Sequence, residues 1–309
     1  MLKTLLIAVP ILFIAFQITK QLVPWETRRK MSHYGSYIGG VVGSILALTP
    51  LVFLMIYLVK EGGPGFTAAF FTESQKPIGQ PGGGYLNAIV GSLLIILMAS
   101  GIGVPIGVLA GIYLAEVGKG RFAATVRFLS EVLTGLPSIV AGILGYTLIV
   151  MKIQDVPGWK PYSGFAGAVA LSFLMIPVIT RVTEEAIRLV PKAQREASFG
   201  LGVGQWRTVW HVVLPAARSA ILTGVVLAVA RVGGETAPLL FTALGNREII
   251  TNVREPMSAL PLAIYFDAGS PSDINVQLAV TGALFLVVWI ALVNLVIRWI
   301  AAKTQPKLS

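Results

Sequence analysis

Residues 86–115 read LNAIVGSLLIILMASGIGVPIGVLAGIYLA, a stretch without one charged side chain. As a helix rising 1.5 Å per residue it extends for about 45 Å, beyond the ~30 Å hydrocarbon core of a bilayer. That length and composition decide the class: a helix crossing a membrane. Within it Ala99, Gly103, Gly107 and Gly111 recur at steps of four. A stripe of small residues lets a second helix approach closely. The plain reading is packing inside one chain, which makes a bundle and says nothing of a pore.

Five further apolar stretches are long enough to cross: 36–59, 128–151, 164–182, 217–241 and 278–300. The expectation is an all-α integral membrane protein, a polytopic helical bundle of six core spans. A shorter apolar segment, 5–18, contains Pro10 and is either a seventh span, an anchor or a signal-like segment. No small-residue cleavage site follows it in Lys20-Gln21-Leu22-Val23-Pro24, so no removed signal peptide is expected.

Composition agrees. Of 309 residues 55% are hydrophobic and 12% charged, and mean hydropathy is +0.79; a soluble domain carries about 25% charged residues. A disordered chain, a coiled coil and an ordinary cytosolic enzyme are excluded. The 33 Gly and 18 Pro follow no G-X-Y period. With no cysteine there is no disulfide framework, thiolate metal site, Fe–S cluster or Cys nucleophile. His33 and His211 stand far apart and neither begins H-E-x-x-H, so no metal site is expected.

The net charge of +10 is topological. Segments 24–35, 116–127, 181–218 and 298–309 hold 15 Lys and Arg, whereas 60–85, 152–163 and 242–277 hold 6. By the positive-inside rule the first set and the C-terminus are cytoplasmic. No nucleic-acid partner is needed; the partner is the lipid bilayer of a cell membrane. The organisation read from this is an N-terminal apolar segment and basic link (1–35), a first span with a Gly/Pro-rich external loop (36–85), and a core (86–303).

The core contains a long polar segment, 183–216, that reads as a cytoplasmic helical hairpin. Pro191 suits a helix start, residues 193–199 continue it, and Gly200, Gly202 and Gly204 break it. Residues 205–214 resume, with Trp206, Val209, Trp210 and Val213 on one face, and Pro215 is read as the end. Such a hairpin is a candidate docking element.

Span 217–241 holds Arg231 near its middle and Glu235 one turn on. Charges there are costly and default to a functional site. On an unbroken helix the two share a face. Arg231 can then trade Glu235 for an anion, its planar fork suiting a tetrahedral oxyanion, and Thr236 adds a hydroxyl. The competing reading is an ion pair that joins two helices. Arg181 and Glu184 (with Glu185), at the inner end of span 164–182, are further candidates for a substrate path, against the alternative that Arg181 snorkels to the interface. Glu131 reads as interfacial.

No catalytic motif is present. Gly118-Lys119-Gly120 lacks the rest of a phosphate-binding loop, and Gly200-x-Gly202-x-Gly204 follows a helix and not a strand. No G-x-S-x-G occurs. The chain is expected to be no enzyme and to hold no cofactor; any ATP is bound by another subunit.

The hairpin reads Glu196-Ala197-Ser198, three residues, Gly202, nine residues, Val212-Val213-Leu214-Pro215. This resembles the EAA loop (E-A-A-x3-G-x9-I-x-L-P) of ABC importer permeases, with Ser198 for Ala and Val212 for Ile. Residues 230–243 (Arg231-Val232-Gly233-Gly234-Glu235-Thr236-Ala237-Pro238 at their heart) are similar to the signature of PstA-type permeases of phosphate ABC importers. Three more segments match it: Gly107-Val108-Leu109-Ala110-Gly111-Ile112-Tyr113-Leu114-Ala115-Glu116, Pro137-Ser138-Ile139-Val140-Ala141-Gly142, and Phe70-Phe71-Thr72-Glu73 with Gly82-Gly83-Gly84. The likeness spans about residues 36–303 and leaves out 5–18.

The resemblance implies the type I importer transmembrane fold and import of inorganic phosphate by alternating access. It implies three partners: a dimer of ATP-binding subunits, a second homologous permease and an external phosphate-binding protein. Glu196, Ala197, Ser198, Gly202, Leu214 and Pro215 would couple to the ATPase, and Arg231 would meet phosphate with Arg181 further in. The alternatives are another oxyanion, such as sulfate or molybdate, or a secondary transporter. The latter should show internal repeats, and none is evident.

Overall fold

The computed structural model describes residues 25–304; the segment 5–18 lies outside the described residues. The chain divides into two compact units, one ending at Tyr57 and one beginning at Leu58. The first is the body of α1 (Trp25–Gly62), whose apolar side chains from Tyr34 to Tyr57 are almost all exposed. The basic link read at 24–35 is thus helical from Trp25.

The second unit holds α2 (Ala68–Thr72), α3 (Leu86–Glu116), α4 (Gly120–Gly135), α5 (Ser138–Ile153), α6 (Gly164–Arg188), α7 (Lys192–Gly200), α8 (Gln205–Val232), α9 (Ala237–Thr242), α10 (Leu260–Ala268) and α11 (Asp273–Thr304). There is no strand among the described residues, only an isolated bridge between Leu244 and Met257. Among the described residues five helices are long and apolar enough to cross a membrane, or six if the bent pair α4–α5 counts as one.

The core is the pairing of α3 with α6. The stripe of small residues does what its spacing promised. A Cβ on Gly103 would stand 3.2 Å from Met175, on Gly107 2.7 Å from Ile179, and on Gly111 2.5 Å from Thr183. These partners also step by four, so two helices interlock along one line. Ile95, Ala99, Leu171, Met175, Ile179 and Val232 form the buried cluster around it. Ser163 starts α6 as its N-cap, accepting a hydrogen bond from the Ala166 amide at 3.2 Å.

Three expectations change. The stretch 128–151 is not one straight span: α4 and α5 meet at 110°. The cause is local, since a residue before proline avoids the helical region. Leu136 is extended at ψ 132° and Pro137 at ψ 140°. The helix also begins early, at Gly120, inside what reads as a loop.

Second, Pro215 does not end the hairpin helix; α8 runs through it. A wide π-turn at Val209–Val213 precedes it. A proline ring clashes with the carbonyl four residues back, and a widened turn relieves that clash. The expected face splits with it: Val209 and Val213 are buried, while Trp206 and Trp210 are exposed. Third, span 217–241 is broken. α8 stops at Val232 and α9 begins at Ala237, with Gly233 and Gly234 in the turn between.

Candidate functional site

The break in α8 sets the surroundings of Arg231. Gly224, Ala228 and Val232 are buried, and a Cβ on Gly224 would meet Val182 at 2.2 Å, so this face lies against α6. Ala220, Thr223, Leu227 and Arg231 are exposed at helical spacing on another side. Arg231 sits one residue from the helix end, where the helix dipole favours a cation. Because the helix ends there, Glu235 is not one turn further on the same face. No ion pair joins the two among the described residues, which corrects the paired reading. Glu235 and Thr236 are half-buried in the turn, and the Glu235 amide donates to the Val232 carbonyl at 3.1 Å.

Arg181 and Glu184 lie elsewhere, on α6, which runs on to Arg188. Both line a polar cavity of ≈270 Å³ between α4 and α6, together with Arg127, Glu131, Thr180 and Arg188. Glu184 accepts from Arg127 Nε at 3.0 Å and also pairs with Arg188. Arg181 pairs with Glu185 at 2.9 Å on an exposed surface. Glu131, read as interfacial, is part of this wall. Thr180 lines the cavity, and its buried Oγ1 has no hydrogen-bond partner among the described residues. The wall is therefore charged but self-neutralised. Arg231, Glu235 and Thr236 do not line it.

The hairpin presents a different surface. Gly202 adopts φ +77°, which a residue with a Cβ rarely takes, and so turns α7 back onto α8. Ser198 is buried, with its Oγ 2.8 Å from Thr208 Oγ1, closing the hairpin. Glu196 and Ala197 are exposed. Leu201 is 85% exposed and Leu189 82%, with Phe199 and both tryptophans also open. Leu214 is half-buried and Pro215 exposed inside α8. An open apolar surface around one acidic residue suits a protein partner.

At the opposite end of the bundle is a cluster the sequence did not disclose. Asp267 is fully buried. Its carboxylate accepts from Gln75 Nε2 at 2.7 Å, Tyr85 Oη at 2.9 Å, Asn275 Nδ2 at 3.2 Å and Arg247 at 3.5 Å. Asn87 joins in, bonding Gln75 and the Asn246 carbonyl. Burial, and then the Asp267 charge, push the Tyr85 phenol well above its usual range. The network clamps the segment before α3 onto α10 and α11. The partners lie up to 192 positions apart, so no local pattern signals them.

The profile of the family described as "Binding-protein-dependent transport system inner membrane component" matches residues 103–309. A "Phosphate transport system permease protein PstA" of Haemophilus influenzae is 43% identical over 88% of this chain and 93% of its own length. One from Yersinia pestis is 42% identical over 82% of this chain and 85% of its own. A crystal structure of a bacterial alginate ABC transporter, in complex with a pentasaccharide-bound periplasmic protein, superposes with TM-score 0.63. It is 13% identical and covers 90% of this chain and 97% of that one, which shows the type I importer permease fold and no more.

Proposed function

Because the chain belongs to the family of binding-protein-dependent transport system inner membrane components, of the PstA type, we propose that it is the permease subunit of an ATP-driven importer of inorganic phosphate. The observation that carries the reading is Arg231, exposed on α8 beside the row of residues that packs on α6, at a break in a membrane helix. A charge facing hydrocarbon costs from about 2.5–3.5 to above 10 kcal/mol. That face is therefore turned to water, to a second permease or to both, and lines a path. Broken helices recur at transporter substrate sites. Arg231 binds phosphate through its fork, and Glu235 and Thr236 border the same turn. The self-paired cavity at Arg181 and Glu184 is the next station inward.

The hairpin faces the cytoplasm, as the positive-inside count requires, and so does the C-terminus. Its exposed apolar surface docks onto one of two ATP-binding subunits, with Glu196 at the contact. Those subunits hold and hydrolyse ATP; this chain hydrolyses nothing. A second permease completes the path, and a phosphate-loaded binding protein delivers from outside. ATP-driven closure of the motor moves the hairpin, and the path alternates between its two openings.

The test is ATP-driven uptake of labelled phosphate into vesicles holding this chain and its co-purifying partners, with sulfate as competitor. Uptake that sulfate leaves unchanged supports phosphate. Uptake blocked by sulfate moves the substrate to a wider oxyanion class. An intact complex without uptake of either overturns the reading.

A further inference from the structure

We infer that Glu116 and Arg195 form a strut that carries movement of the hairpin into α3, so that Glu116 is a positioning residue for coupling ATP hydrolysis to transport. The inference rests on the importer reading.

Glu116 is the last residue of α3 and its side chain is only 8% exposed; that of Arg195, on α7, is 20% exposed. The two form an ion pair. The same guanidinium donates through Nη2 to the Ile187 carbonyl in the last turn of α6, at 2.8 Å. Gln205, the first residue of α8, donates through Nε2 to the Glu116 carbonyl at 3.3 Å. One glutamate thus gathers α3, α7 and α8, and one arginine adds α6. A planar guanidinium that holds two acceptors fixes direction as well as distance.

The other attachment of the hairpin is apolar. Ile187, Val190, Val209, Val213 and Ala217 pack with Ile112. Apolar contact is non-directional and lets surfaces slide. The Arg195 fork is the element that resists sliding and can transmit a pull. Successive residues on a helix point about 100° apart, and the chain uses that difference here. Arg195 reaches back to its own chain while its neighbour Glu196 is exposed. A force received beside Glu196 is delivered one residue away to the end of α3. The interlock of Gly107 and Gly111 with Ile179 and Thr183 hands it to α6. Among the described residues, the hydrogen bonds and ion pair of Glu116 and Arg195 involve no candidate substrate residue.

The experiment measures phosphate imported per ATP hydrolysed in vesicles of the assembled complex, for wild type, Glu116→Gln and the exchange Glu116→Arg with Arg195→Glu. Removing one partner of a poorly exposed ion pair is costly; the ratio is expected to fall roughly tenfold in Glu116→Gln, with complex yield and basal ATP hydrolysis kept. The exchange restores most of it. A wild-type ratio in Glu116→Gln overturns the strut, and so does an exchanged, intact complex as impaired as the single variant. If Glu116→Gln does not assemble, Arg195→Lys carries the test, because it keeps the charge and loses the fork. An intermediate ratio is then expected, and an unchanged one overturns the proposal. Should wild-type vesicles import sulfate and not phosphate, the substrate reading alone fails, and the coupling ratio is read with sulfate.

Discussion

Asp267 and Arg231 are both charges within a largely apolar chain, and their surroundings are opposite. Asp267 is sealed: fully buried, it is met by an amide, a phenol, a second amide and a guanidinium. Arg231 is open, at the end of a broken helix, and among the described residues it makes no ion pair with Glu235, the nearest acid in sequence. A saturated buried carboxylate has no capacity left for a ligand and serves to hold segments in place. An exposed guanidinium keeps its five donors for something that arrives. Asp267 thus has the surroundings of an architectural group, and Arg231 those expected of the proposed transport residue.

The largest effect is expected at the sealed site. Asp267→Ala removes the acceptor, leaves three buried donors unpaired and leaves the partly buried Arg247 with the Lys76 carbonyl but no counter-charge from Asp267. Breaking one side of a buried charged network costs about 3–5 kcal/mol. Thermal unfolding of the purified complex should show a large loss, or the chain should fail to assemble. Normal melting with lost transport would reverse the assignment, making Asp267 a transport residue.

That site shows where sequence reading stops. The apolar lengths gave the spans, and the steps of four at Gly103, Gly107 and Gly111 gave a close helix contact, because both are local periodicities. The Glu196 to Pro215 pattern gave the hairpin. The Asp267 network joins residues 75, 85, 247, 267 and 275, which no period links. The two breaks were legible but outweighed by hydropathy. Pro137 and the Gly233-Gly234 pair are helix breakers inside runs apolar enough to pass for continuous spans. Treating 217–241 as unbroken is what put Arg231 and Glu235 on one face.

Next in size is Arg231→Gln. The path reading expects phosphate uptake to fall by roughly 30-fold or more, as when one partner of a close charge pair is removed. Complex yield and melting should stay at wild-type values, in contrast to Asp267→Ala. Wild-type uptake in an assembled complex would end the role of Arg231 as a phosphate contact.

A smaller effect is expected at the interlocked helices, which belong to neither class. In Gly111→Val the new Cβ meets Thr183 at 2.5 Å and the Thr180 carbonyl at 2.7 Å. Overpacking of a tight contact costs about 1–3 kcal/mol. Melting should shift by that amount, whereas Gly101→Val, where a Cβ meets nothing within 4 Å, should change little. Equal shifts at both positions would mean that helix propensity, and not the α3–α6 contact, sets the cost.

The smallest effect appears only in alkali and sharpens the account of the sealed site. Tyr85 lies outside the spans, just before α3, and its phenol ordinarily ionises at 10.0. Burial first, then the charge of Asp267 and its hydrogen bond, raise that value in the folded chain, against a weaker opposing pull from Arg247. The unfolded chain then releases this proton near pH 10 while the folded chain keeps it. Stability from this group is flat below pH 10 and falls above it, because the unfolded state binds fewer protons there. The limiting slope is about 1.4 kcal/mol per pH unit for one group. Comparing melting at pH 8 and above pH 10 should show a steeper alkaline loss for wild type than for Tyr85→Phe, which has no proton to lose. Parallel curves would mean that the phenol titrates alike in both states, and that the carboxylate of Asp267 is reached by water.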